Sequence, residues 1–85
     1  MKTARDYAEK ISHEFITDLA ESHIDAWKDR YFRKSKRDIR FDLNVNHDPS
    51  LEIEAAEELL GRKLTISEYD RLIRDFNNTV VRIIY

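Results

Sequence analysis

The chain has 85 residues, enough for one domain spanning residues 1–85, and its 17 acidic and 15 basic side chains leave a net charge of −2. It has no cysteine, which excludes disulfides, zinc–thiolate sites and thiol catalysis, and its single glycine excludes a glycine-rich phosphate-binding loop. There is no apolar leader and no stretch of the roughly 20 apolar residues that a membrane span needs, so we expect a cytoplasmic protein without membrane contact.

The first thirty residues predict one long amphipathic helix that starts near Ala4, where Thr3 and Asp6 resemble a capping box. Its apolar residues fall into two stripes, which are Ala4, Ala8, Ile11, Phe15 and Leu19, and Ile16, Ala20, Ile24, Trp27 and Tyr31. Such a helix would be about 40 Å long, which exceeds the width of a domain this small. It must therefore bend over the core or pack its distal half on another molecule, for which a homodimer is one option.

Four acidic side chains share the opposite face of this predicted helix. They follow one another at spacings of four, three and four, and we call them the acidic ridge: Glu14, Asp18, Glu21 and Asp25. The ridge has two interpretations. It is either an ordinary solvated face or a docking surface for a basic partner, on which it could imitate a phosphate backbone.

A strongly basic segment follows at residues 28–40. Its seven cations, which we call the basic run, are Lys28, Arg30, Arg33, Lys34, Lys36, Arg37 and Arg40. With only two acids in the segment, the local charge is +5 and the rest of the chain carries −7. Cations complement the negative end of a helix dipole, which accounts for part of the run. Trp27, Tyr31 and Phe32 lie among the cations, as in segments that bind nucleic acid, although the acidic chain as a whole argues against that function.

The next segments alternate or are rich in β-branched residues, so they predict strands. Residues 39–45 place Ile39, Phe41, Leu43 and Val45 on one face. Residues 79–85 are β-branched enough for a second strand. Residues 51–54 also alternate, and they form either a third strand or the start of a helix from Pro49 to Leu60 that Gly61 closes. We favour the helix.

Thr65 and Glu68 form a capping box for a further helix, which should run from Ile66 to about Phe76 and end at Asn77–Asn78. The predicted fold is therefore α+β. Its order is a long helix, a strand, two helices and a strand, with the long helix packed across a small sheet of two or three strands.

The sequence contains few residues in arrangements suited to catalysis. His47 and Asp48 lie in the turn at residues 46–50, and Asp42 and Glu52 are near them in sequence. Such a group could serve as a general base or an oxygen-rich metal site, but capping of the next helix by Asp48 is the simpler explanation. We therefore expect no catalytic residue, no metal and no cofactor.

These patterns predict a non-enzymatic binding protein that acts as an inhibitor or adaptor. It would use the acidic ridge or the basic run on an oppositely charged protein partner. Short cysteine-free chains with segregated charge are common among proteins encoded by phages and mobile elements, including inhibitors of nucleic-acid-processing enzymes, which gives this hypothesis its most specific form. The alternative is a nucleic-acid-binding protein that uses residues 28–40.

Overall fold

The computed structural model describes residues 3–85, with side chains from Tyr7 onward. Over this range the chain forms six helices and no strand. The helices are α1 (Thr3–Lys10), α2 (His13–Glu21), α3 (Ile24–Arg30), α4 (Lys36–Asn46), α5 (Ser50–Leu60) and α6 (Ile66–Ile84). The predicted α+β fold is therefore wrong. The capping box predicted at Thr3 and Asp6 lies outside the described side chains.

The predicted long first helix is divided into three short ones. Ser12 adopts an extended conformation, with φ −79° and ψ 168°, and its hydroxyl accepts a hydrogen bond from the Phe15 N–H at 3.1 Å. Ser12 thereby caps α2 and separates it from α1, since an N-cap residue lies outside the helical region. The second break follows Glu21, where the Ser22 hydroxyl donates to the Leu19 carbonyl at 2.7 Å.

These breaks explain how residues from both apolar stripes reach one core without one long bent helix, although Ala8 of the first stripe is exposed. Ile11 from the first stripe and Ile16, Ala20, Trp27 and Tyr31 from the second are all buried in one core. Phe15 and Leu19 are partly buried against the same core. Three short helices can each turn a different face inward, which a straight helix cannot do.

The strand predicted at residues 39–45 is the helix α4. Ser35 caps it by accepting the Asp38 N–H at 3.1 Å. Ile39 and Leu43 are buried, whereas Phe41 and Val45 are 69% and 61% exposed. Each pair is four residues apart, so each lies on one helix face, and the alternation reflects one buried and one exposed apolar pair.

The strand predicted at residues 79–85 is the second half of α6. The predicted capping box of Thr65 and Glu68 is confirmed at the start of this helix, but the helix passes through Asn77 and Asn78 instead of ending there. Asn77 is buried, and its amide nitrogen donates to the Asn44 side-chain oxygen at 2.8 Å, while its own side-chain oxygen accepts no hydrogen bond from a described residue. Burial of one face of this helix outweighs the β-propensity of its last turns.

The helix predicted at residues 49–60 is confirmed as α5, so residues 51–54 are not a strand. The Asp48 carboxylate accepts the Ser50 N–H at 3.1 Å, and the helix ends at Gly61 with a φ of 73°. That left-handed conformation suits glycine, which has no Cβ.

Helix α6 is the central element of the fold. Helices α2, α3 and α4 pack against it, and α1 packs against α5. Its 19 residues span about 28 Å, in a molecule of 45 × 20 × 17 Å. The end of α6 at Ile84 lies beside the turn between α3 and α4, and this meeting point forms the candidate site.

Candidate functional site

The basic run occupies the end of α3, the turn at residues 31–35 and the start of α4. The turn is closed by backbone hydrogen bonds from Phe32 to Asp29, at 3.4 Å, and from Lys34 to Tyr31, at 3.0 Å. Arg33, between them, has a φ of 65°. A left-handed conformation costs a non-glycine residue roughly 1 kcal/mol, so the fold holds the backbone of Arg33 in this conformation against local strain.

A buried tyrosine attaches this turn to α4. Tyr31 is 5% exposed, and its hydroxyl donates to the Asp42 carboxylate at 2.5 Å. Burial and this hydrogen bond raise the pKa of Tyr31 to about 12, while the same bond is the main reason why the pKa of Asp42 is lowered. Asn46 donates to the other Asp42 oxygen at 2.6 Å, so the carboxylate is held from both sides.

All seven side chains of the basic run are exposed. Within residues 7–85, Arg30 is the only member of the run that pairs with a carboxylate, lying 3.2 Å from Asp42. Arg40 instead donates to the Asn78 side chain on α6 at 2.9 Å. Most of the positive charge in the run is therefore not neutralised by the described part of the chain.

An open groove of about 660 Å³ lies between this turn and the end of α6. Three cations of the basic run line it, namely Lys28, Arg33 and Lys34. Phe32 and Tyr85 also line the groove, and they are 71% and 62% exposed. The Tyr85 hydroxyl donates to the Lys34 carbonyl, which joins the two walls.

A cationic side chain lies over each of the two exposed rings. The Arg33 guanidinium lies 5.3 Å from the Phe32 ring centroid, and the Lys36 ammonium lies 5.2 Å from the Tyr85 ring centroid. Both distances are within the range of a cation–π interaction. The groove thus combines positive charge with planar aromatic surface.

The structure separates the aromatic residues that the sequence placed together. Trp27 and Tyr31 belong to the core, and Phe32 alone of these three is exposed. Tyr85 was missed in the sequence because it is 51 residues from its partner Lys34, and no local pattern links the two.

The acidic ridge is exposed but no longer lies on one helix. Glu14, Asp18 and Glu21 belong to α2, whereas Asp25 belongs to α3, beyond the break at residues 22–23. None of the four forms an ion pair with another described residue. The ridge remains a set of solvent-facing carboxylates.

The polar cluster predicted around His47 is only partly formed. His47 Nε2 lies 2.9 Å from the Glu52 carboxylate, which is 2% exposed, and His23 Nε2 lies 3.8 Å from its other oxygen. Asp48 instead accepts hydrogen bonds from the Ser50 N–H and hydroxyl, and Asp42 binds Tyr31. The prediction that Asp48 is the N-cap of α5 is wrong, because Pro49 holds that position without a side-chain cap.

Aromatic rings surround this buried carboxylate. The His47 ring stacks on Phe76 at 5.6 Å and meets Trp27 edge-on at 5.2 Å. The cluster therefore links α3, α5 and α6 as a satisfied polar contact within the core. Among the described residues, no three His, Asp or Glu side chains are arranged to hold a metal ion.

Comparisons with protein-family models, with characterised proteins and with solved structures find no match to this chain. No helix among the described residues is both long and apolar enough to cross a membrane. The groove and the charges around it are therefore the features of the molecule that indicate a function.

Proposed function

We propose that this chain is a non-enzymatic binding protein that contacts its partner through the basic run. The partner is a macromolecule that presents negative charge. One observation carries the proposal: Lys28, Arg33 and Lys34 line one open groove, and no described carboxylate lies within salt-bridge distance of any of them, although Asp42 attracts Lys34 from farther away. Unneutralised charge of one sign around a groove attracts an oppositely charged ligand and speeds its association.

The strained backbone at Arg33 supports the same proposal. A non-glycine residue with a φ of 65° costs stability, and such residues concentrate at binding sites, where a side chain must be held in a set position. The buried contact between Tyr31 and Asp42 holds the turn from the core side. The groove is thus formed before the partner arrives, which lowers the entropy cost of binding.

The acidic ridge stays a prediction of the sequence. A few buried side chains, most often aromatic residues and arginine, carry most of the binding energy of an interface. Phe15 and Leu19, the apolar neighbours of the ridge on α2, already pack against the core. The exposed aromatic residues Phe32 and Tyr85 accompany the basic run instead, so the basic run is the better supported of the two surfaces.

The test is a set of fluorescence anisotropy titrations at low salt with two labelled polyanions, a polyglutamate and an oligonucleotide. Wild type is compared with a groove variant in which Lys28, Arg33 and Lys34 are replaced by Gln. In a matched control, Gln replaces Lys10, Lys63 and Arg74, which lie outside the run. The control and the groove variant both change the net charge from −2 to −5. We expect the groove variant to lose affinity about tenfold or more and the control to lose little. Equal losses in both variants would refute the proposal.

A further inference from the structure

The two rings in the groove remain largely exposed in the free chain, although the Tyr85 hydroxyl donates to the Lys34 carbonyl. Phe32 leaves 71% of its surface in water and Tyr85 leaves 62%, so neither ring gains much from the hydrophobic effect in the free chain. Both rings line the same groove as Lys28, Arg33 and Lys34. Single-stranded nucleic acid binds to surfaces that combine aromatic rings, on which its bases stack, with cations, which contact its phosphates.

We propose that the occupant of the groove is a single-stranded nucleic acid. Its bases stack on Phe32 and Tyr85, and its phosphates contact Lys28, Arg33 and Lys34. This inference rests on the proposed function, since it names the anionic partner. It goes further because it gives the aromatic rings a role in binding. Attraction between opposite charges would not require them.

The contacts of α4 favour a single strand over a duplex. A helix that reads duplex DNA places its first turns in the major groove, with their side chains free to reach base edges. Here Lys36 lies over the Tyr85 ring and Arg40 is hydrogen-bonded to Asn78, so both cations are directed along α6. Stacking on Phe32 also requires a base that is not already stacked within a duplex.

The rings likewise favour nucleic acid over an acidic protein segment. The carboxylates of Asp and Glu would satisfy the cations but offer no aromatic surface that could stack on Phe32 or Tyr85. Every base has such a surface, which makes this mode of binding tolerant of sequence. We therefore expect weak preference among sequences and strong preference for unpaired strands.

The experiment measures anisotropy with three labelled probes: a single-stranded oligonucleotide of about 16 nucleotides, a duplex of the same length and a polyglutamate. The variant Phe32→Leu keeps an apolar side chain and removes the ring. Ile66→Ala is the matched control, because Ile66 is 84% exposed at the opposite end of α6. Thermal unfolding of both variants checks that the fold is retained.

We expect the single strand to bind at least tenfold more tightly than the other two probes. Phe32→Leu should weaken that binding about tenfold, leave its salt dependence unchanged and have no effect on binding to polyglutamate. Ile66→Ala should bind like wild type. Equal affinity for all three probes, with no effect of Phe32→Leu, would overturn this inference and leave the proposed function standing. Absence of binding to every probe at low salt would overturn both.

Discussion

Replacing Glu68 by Gln should destabilise the fold at neutral pH by an amount that disappears in acid. The Glu68 carboxylate accepts hydrogen bonds from the Arg62 guanidinium at 2.8 and 2.9 Å and from the Thr65 N–H at 3.0 Å. The bonds from Arg62 are the main reason why the pKa of Glu68 falls from 4.5 to about 2, and the bond from Thr65 contributes in the same direction against the effect of burial. This contact fixes the start of α6 against the end of α5.

The direction of the pH effect follows from the lowered pKa. A carboxyl group with a lower pKa in the folded chain stabilises the fold above its unfolded pKa, and that contribution is lost as the pH falls. At about 1.4 kcal/mol per pKa unit, the shift of Glu68 corresponds to about 3 kcal/mol. Since the Arg62 side chain is 26% exposed, solvent screening reduces our expectation to about 2 kcal/mol. The loss should occur as the pH falls from about 4.5 to 2.

The assay is urea denaturation of wild type and Glu68→Gln at several pH values between about 7 and 2. The control is Glu58→Gln, which removes the same charge from an exposed position on α5 and should change the free energy of unfolding by less than about 0.5 kcal/mol. Equal stability of Glu68→Gln and wild type at neutral pH would show that the contact between Glu68 and Arg62 does not stabilise the fold. A difference that persists at about pH 2 would contradict the expected pH dependence.

Three further predictions test the core and the helix boundaries. Ser12→Ala removes the cap on the Phe15 N–H and should cost about 1 kcal/mol in urea denaturation, whereas a continuous helix through Ser12 predicts a small gain. Leu72→Ala empties a fully buried position on α6 and should cost about 2–5 kcal/mol by the same assay, while a cost below about 1 kcal/mol would place Leu72 outside the core. Burial raises the pKa of Tyr7 and Tyr31 to about 12, so a spectroscopic titration should show two tyrosines ionising near that pH, and ionisation of all tyrosines near 10 would contradict the structure.

The helices that could be predicted are those whose ends carry strong local signals. Gly61 marks the end of α5, and the pair of Thr65 and Glu68 marks the start of α6, because these effects act between residues a few positions apart. Ser12 carried a similar signal. It was missed because the apolar spacing continues across it, and an interior serine is compatible with a helix.

The two incorrectly predicted strands show that a local pattern does not always distinguish a strand from a helix. Apolar residues occupy every second position at Ile39, Phe41, Leu43 and Val45, which fits the period of a strand. The same residues also form two pairs four positions apart, and each such pair fits one face of a helix. Packing against α6 decides between these interpretations, and it buries only Ile39 and Leu43. The last turns of α6 are helical for the same reason, since Val80 and Val81 are buried.

The candidate site could be predicted only in part. The charge of the basic run is visible in the sequence, because charge depends on composition alone. The groove is not, because it needs Tyr85 at the end of α6 to meet Lys34 in the turn. Nor could the sequence distinguish Phe32, which is exposed, from Trp27 and Tyr31, which are buried beside it in the chain.

The most direct measurement for the central claim is the salt dependence of binding to a single-stranded oligonucleotide, for wild type and for the groove variant of Lys28, Arg33 and Lys34. Each phosphate contact on a single strand contributes about −0.7 to the slope of log K against log salt concentration, so these three cations should account for about −2. We expect the groove variant to lose that part of the slope together with most of its affinity. A groove variant with the slope and affinity of wild type would contradict this expectation.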